Sequence, residues 1–341
     1  MINSQSRVRN FGLILTLVLT PILLAFAGLS IGRFQIGMQD VLRVLISPLF
    51  PESASRVSEI AKQLILRVRL PRILAALLIG ASFSTTGTAF QAIFKNPLVD
   101  SNILGVTSGA GFGAALALLL MLSTWQVQVL AFVFGLAAVF LSFFGSRLYK
   151  TAPILVLTLM GILVGTLFSS LTSLLKYIAD PLDTLPAITF WLLGSLASVT
   201  WSRITFLAII TLLGVIFFVL IRWQLNLLSL GEKEASSLGV DPNKMKFIII
   251  FVATLMTASA VSTSGVIGWV GLVVPHLGRL LVGPNHRRLL PVSISCGASF
   301  MIILDTIARA LLPGEIPLGV LTGILGVPLL ILLLRRSRTG W

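Results

Sequence analysis

Long apolar runs separated by short polar stretches organise this chain from near its start to its end. The runs lie at about 11–31, 70–92, 102–122, 127–146, 153–176, 202–221, 245–263, 268–283, 290–310 and 317–334. Most approach the roughly 20 residues that an α-helix needs to cross a bilayer. Gly, Ser and Thr interrupt several of them, which spans tolerate because neighbouring helices pack against and satisfy such residues. The pattern predicts an all-α polytopic membrane protein of about ten transmembrane helices.

Composition agrees. Apolar residues make up 56% of the chain, charged residues 11%, and the mean hydropathy is +1.03. A soluble domain carries about 25% charged residues. The first run follows Arg7 and Arg9 and contains Ala25-Phe26-Ala27, which resembles a cleavage site. Its 21 residues suit a retained first helix.

The net charge of +14 raises the question of nucleic acid. There is no basic stripe interleaved with aromatics, and two tyrosines leave few stacking groups. Most of the charge flanks apolar runs, where it sets orientation. Arg7, Arg9, Lys95, Arg147, Lys150, Arg222, Lys233, Lys244, Lys246, Arg287, Arg288, Arg335, Arg336 and Arg338 all fall on one side of a ten-span topology. The positive-inside rule makes that side, with both termini, cytoplasmic. One segment defies the rule. Residues 33–72 fall outside, yet they hold Arg33, Arg43, Arg56, Lys62, Arg67, Arg69 and Arg72 against Asp40, Glu52 and Glu59. Either the topology differs there, or the segment is a solvated interfacial loop, or its charge faces an acidic partner.

Small-xxx-small spacing at Gly105/Gly109, Gly109/Gly113, Gly161/Gly165 and Gly319/Gly323 predicts close helix packing. The longest polar interruption of the second half, about 226–242, mixes Leu227, Leu228, Leu230, Ala235, Leu238 and Val240 with Glu232, Lys233 and Glu234. It reads as a short amphipathic helix stopped by Gly239 and Asp241-Pro242. Such an element lies on lipid, packs as structure, or docks into a soluble partner, and the residues alone leave all three open.

The chemistry of an enzyme is missing. No GxxxxGK[ST] phosphate loop occurs, so ATP hydrolysis is expected on another subunit. His276 and His286 lack the carboxylates or thiols of a metal site, and Cys296 stands alone in an apolar run. The sequence offers no catalytic set, no metal site and no cofactor motif. Asp305 and Arg309, four apart in the ninth run, are spaced to pair on one helix face. A structural pair is favoured over a proton or cation relay for Asp305, because the other runs supply no further acids. An ion-coupled secondary transporter, which would need such acids and related halves, is the alternative to the reading developed next.

Several ordered stretches resemble the FecCD-type permeases of ABC importers: RLPR at 69–72, QAIFKNPLVDSNILGVTSGAGFG at 91–113, GEKEASSLGV at 231–240, GVIGWVGLVVPHLGRLLVGPNHRRLLP at 265–291, DTIAR at 305–309 and EIPLGVLTGILGVPLL at 315–330. The resemblance implies a single transmembrane permease domain over residues 1–341 in the cell (inner) membrane. It implies a second copy of the chain, two cytoplasmic ATPase subunits and an extracytoplasmic substrate-binding protein as partners. It further implies import of a metal-chelate nutrient, iron-siderophore by default, with haem, cobalamin and molybdate as the other substrates of the family. Residue by residue, it marks Gly231, Glu232, Ala235, Leu238 and Gly239 as the ATPase coupling element. It marks Arg69, Arg72 and Arg309 as docking contacts for the binding protein, and Asn96 and Leu98 as a cytoplasmic gate. An Asn-Pro turn that merely ends a helix explains the last two equally well. The stretch 151–161, TAPILVLTLMG, departs from the family's pattern at the second gate, and no role is transferred to it.

Overall fold

The computed structural model describes residues 4–148, 153–312 and 314–336, and these contain helices and connecting segments with no strands. Lys150, Arg338 and the first residues of 151–161 lie outside the described residues, as do the side chains of Arg7, Arg9, Arg56 and Arg336. The chain opens with α1 (Ser4–Ser30), then α2 (Met38–Ile46), a 3-10 turn (Pro51–Arg56) and α3 (Glu59–Gln63). A π-helical turn (Leu64–Arg69) feeds α4 (Leu70–Phe94). Next come α5 (Val106–Leu119), α6 (Thr124–Ser146), α7 (Pro153–Ile178), α8 (Thr184–Leu193) and α9 (Trp201–Leu220). The short α10 (Arg222–Leu230) and α11 (Glu232–Ser237) precede α12 (Pro242–Ser264), α13 (Val270–Val282), α14 (His286–Ala310) and α15 (Leu318–Arg336).

Each apolar run of the sequence falls on one helix. Five of them, α6, α7, α9, α12 and α14, are long and apolar enough to cross a membrane outright. Two are shorter than the sequence predicts. α5 has 14 residues and α13 has 13, which at 1.5 Å per residue gives about 20 Å against a hydrocarbon core of about 30 Å. In each case non-helical backbone precedes the helix: a 3-10 turn capped by Asp100 before α5, and residues 265–269 before α13. Gly105 and Gly265 take positive φ at these breaks, and so does Trp269, where a bulky side chain makes that conformation costly. Ser101, Leu104, Gly265 and Ile267 are buried, so the irregular backbone is shielded from lipid, as membrane solvation demands. α8 is an apolar helix of 10 residues that the sequence pattern did not announce.

The centre of the bundle is α4, buried along almost its whole length from Pro71 to Phe94. It lies against α14 at Gly80 and Gly297, where a Cβ on either glycine would run into the other's carbonyl oxygen. It meets α13 where a Cβ on Gly87 would run into the Gly271 carbonyl oxygen and one on Gly271 would approach the Phe83 carbonyl. Small residues let helix backbones approach where dispersion forces and lipid entropy, and not the hydrophobic effect, hold helices together. Three hydroxyls of α4 are satisfied within the helix: Ser84, Thr86 and Thr88 donate to the carbonyls of Gly80, Ser82 and Ser84. Of the glycines expected to pack closely, Gly109, Gly113, Gly161 and Gly319 each face a carbonyl oxygen too near to admit a Cβ, whereas Gly165 and Gly323 have ordinary room.

Candidate functional site

Three regions concentrate unusual local chemistry. The first is the end of the bundle where α10 and α11 join α12. Gly231 links the two short helices in an extended conformation, and a Cβ there would collide with the Glu234 carboxylate. Ala235 is fully buried in a cluster with Leu225, Leu227, Leu228 and Val240. Gly239, at φ +83°, ends α11 in the left-handed conformation that closes many helices. The Gly239 and Val240 amides donate to the carbonyls of Ser236 and Ala235, both at 3.0 Å. The other face of the element is open: Leu230, Leu238, Lys233 and Glu234 are exposed.

This element is clamped to the spans. Glu232 forms an ion pair with Lys246 of α12. Asp241 caps α12 by accepting from the amides of Asn243 (3.0 Å) and Lys244 (3.1 Å). The Asn226 amide donates to Asn285 Oδ1 at 3.1 Å, and Asn226 Oδ1 accepts from the His286 amide at 2.8 Å at the start of α14. His286 therefore organises a helix junction.

Beside it, α4 ends at Lys95, which takes a left-handed conformation. Asn96 Oδ1 accepts from the Leu98 amide at 2.9 Å, an Asx turn that holds the Leu98 side chain outward. Asp100 follows, its carboxylate accepting from Ser101 N (2.5 Å), Ser101 Oγ (3.0 Å) and Asn102 Nδ2 (3.0 Å). Burial pushes the Asp100 carboxyl above the usual carboxylate range, against the pull of these donors. Asn96 and Leu98 thus form a turn with one presented side chain, a geometry open to a gate and to a simple helix stop alike.

The second region is the opposite end. The basic segment 33–72 folds there into a cap over the ends of α1 and α14. Pro71 has no N–H to give the Arg67 carbonyl, and the widened π turn immediately before it carries Arg69 inward. Arg69 donates to the carbonyls of Leu29 (2.6 Å), Ser30 (3.0 Å) and Phe34, closing the end of α1. Arg72 Nε donates to Asp305 Oδ1 at 2.6 Å and its Nη1 to Glu315 at 2.7 Å. Arg309 pairs with Asp305 at 3.4 Å, as the sequence spacing predicts, and donates to the carbonyls of Ile31 (2.6 Å) and Gly28. These three are the arginines that the resemblance marks for docking. Arg69, Arg72 and Arg309 are 4%, 5% and 8% exposed and are committed to internal partners, not held out on a surface. Apart from the Asp305–Arg309 pair, the sequence could not signal this, because the other partners lie 35 to 281 residues away. Among the described side chains, the exposed arginines of the cap are Arg33, bonded to the Leu312 carbonyl at 3.0 Å, and Arg67.

The third region was missed by sequence reasoning. A groove of about 450 Å³ runs along α7 beside the start of α5, lined by Asn102, Ser108, Thr166, Ser169, Ser170 and Ser173 among others. Thr166, Ser169, Ser170 and Ser173 are all exposed on a helix otherwise apolar enough to span. Their spacing of three and four was a legible sign of one polar helix face. The groove holds hydroxyls and an amide and no charged side chain, so it offers hydrogen bonds along a wall without a strong binding site.

Ten apolar runs carried by helices, glycine-mediated packing and a polar groove on a spanning helix define a polytopic membrane permease. The chain belongs to the FecCD transport family, whose model matches residues 18–336. It is 40% identical over 330 residues to the molybdate import system permease protein MolB of Haemophilus influenzae, covering 97% of this chain and 96% of the relative. It is 37% identical over 280 residues to the hemin transport system permease protein HmuU of Yersinia pestis, covering 80% of this chain and 83% of the relative. Among solved structures, an inward-facing ABC transporter assigned to the metal-chelate type superimposes with a TM-score of 0.85 at 39% identity, over 95% of this chain and 99% of the other. The chain is therefore a membrane-spanning permease of the ABC importer class.

Proposed function

We propose that this chain is the permease subunit of an ATP-driven importer of metal-chelate-type nutrients in the cell's inner membrane, with ATP hydrolysed on two separate cytoplasmic subunits. The observation that carries the proposal is the α10–α11 element. One face of it is buried and tied to α12 and α14, and the other presents Leu230, Leu238 and charged groups. A rigid element fixed to spans and open to the cytoplasm suits the transfer of a partner's motion into the membrane. Gly231, Glu232, Ala235, Leu238 and Gly239 are its coupling residues. A cytoplasmic ATPase that co-purifies with the chain in fixed ratio, with its hydrolysis uncoupled from transport by Ala235→Arg, tests this.

The chain works as a homodimer by alternating access, with the hydroxyl-lined face of α7 along the pathway between two copies. That reading is supported by a polar stripe which lipid alone would not favour. Asn96 and Leu98 form the cytoplasmic gate. An extracytoplasmic binding protein docks on the basic cap. Arg69, Arg72 and Arg309 are its docking contacts, held in place by their internal partners, and Arg33 and Arg67 add accessible charge that steers the approach. The substrate is an iron-siderophore by the family's commonest use. Molybdate is the second reading, favoured by 40% identity to a molybdate permease over nearly the whole chain. Direct binding of a ferric siderophore and of molybdate to the cognate binding protein separates the two.

A further inference from the structure

At the cap end, one arginine outside the ion cluster lines two recesses. Arg203 is the third residue of α9, half-buried within a spanning helix. Arg72 and Arg309 at the same end share Asp305, and Arg72 also holds Glu315. Among the described residues no acid pairs with Arg203. Its hydrogen bonds run only to neutral oxygens: Thr124 O at 3.2 Å, Ser198 Oγ at 3.2 Å and Ser198 O at 3.4 Å. These are long for a guanidinium, whose bonds to anions run about 2.7–2.9 Å. Nε makes no hydrogen bond to any described residue, so part of a five-donor fork is unused.

Two recesses meet at this side chain. One, of about 270 Å³, is lined by Arg203 together with Ser195, Ser198, Thr263 and Ser264. The other, of about 130 Å³, is lined by Arg203, Ser202 and Gln128 and then by apolar Val129, Phe132 and Phe206. Trp125 and Trp201 flank the site at 67% and 47% exposure, as aromatics do at a membrane–water interface. A cation at that level without a counter-ion is costly, and the pairing that lets basic pockets on the cytoplasmic side of spanning helices hold anionic headgroups is equally open to a guanidinium on the other side. We propose that Arg203 binds the phosphate of an anionic phospholipid from the outer leaflet, with hydroxyls of the larger recess around the headgroup and an acyl chain along Val129, Phe132 and Phe206. A free tetrahedral oxyanion shares the phosphate chemistry, but the apolar groove leading away from the guanidinium suits a lipid.

The test uses the full chain purified in neutral detergent, with phosphatidylglycerol and phosphatidylcholine as probes and native mass spectrometry plus thermal unfolding as readouts. The parent should bind phosphatidylglycerol in preference to phosphatidylcholine and be stabilised by it. Arg203→Gln should weaken that binding about fivefold, from the usual worth of one basic residue near an anionic surface. Arg203→Lys should retain part of it. Val129→Trp, which fills the groove and leaves the charge, should also reduce it, and this keeps the proposal testable if the Gln variant folds poorly. Equal phosphatidylglycerol binding by parent, Arg203→Gln and Val129→Trp would overturn the site. Equal stabilisation by millimolar inorganic phosphate would overturn the lipid assignment in favour of a free oxyanion.

Discussion

The buried ion cluster under the cap gives the sharpest stability prediction. Asp305 is fully buried and holds Arg72 at 2.6 Å and Arg309 at 3.4 Å. Asp305→Asn keeps the shape and removes the charge, leaving two buried guanidiniums short of an anion. Breaking a buried pair from one side typically costs about 3–5 kcal/mol. Two features place this case at the low end: Arg72 keeps Glu315 at 2.7 Å, and Arg309 keeps the carbonyls of Gly28 and Ile31. The expected cost is about 3 kcal/mol, or roughly a hundredfold in the equilibrium for opening the cap. Glu315 is 36% exposed, so Glu315→Gln should cost no more than about 1 kcal/mol. Backbone hydrogen exchange on the purified protein reads both, in residues 28–36 and 305–318. Adding Arg309→Gln to Asp305→Asn should restore part of the protection, because it removes one orphaned charge. Exchange in the Asp305→Asn variant within twofold of the parent, or an equal effect of Glu315→Gln, would refute the argument.

Other outcomes follow from the same geometry. Gly80→Ala places a Cβ against the Gly297 carbonyl and should destabilise the α4–α14 contact by about 1–3 kcal/mol or more, read as a lower unfolding temperature. Ala235→Arg drives a charge into a fully buried site at the cytoplasmic element; in reconstituted vesicles ATP hydrolysis should persist while transport falls, and unchanged transport would sink the coupling role. Arg33→Glu with Arg67→Glu should slow docking of the binding protein and flatten its salt dependence without loosening the cap. Arg69→Glu with Arg72→Glu should instead damage the cap itself, visible as faster hydrogen exchange before any docking measurement.

The spans were legible because lipid as solvent forces long apolar helices, and the chain obeys. The shortening of α5 and α13 was not, since Gly105 reads like any other glycine in a span, Gly265 like a linker glycine between two, and only tertiary packing gives them positive φ. The α10–α11 element was visible as an amphipathic interruption, but its clamp required Asn226 to meet Asn285 and His286 about sixty residues on. The three cap arginines were singled out correctly as unusual. Their burial was hidden because the carbonyl end of α1, Asp305 and Glu315 come from distant parts of the chain. The polar face of α7 was written plainly in Thr166, Ser169, Ser170 and Ser173, and was passed over because hydroxyls in spans are so often packing residues.

The central claim is ATP-driven import through this permease. Its most direct test is uptake into vesicles that contain the chain and its cognate ATPase, with the loaded binding protein outside and ATP inside. Uptake should require ATP and the binding protein, be indifferent to proton or sodium gradients, and be abolished by Ala235→Arg. Uptake driven by an ion gradient without ATP would contradict it and make the chain a secondary transporter.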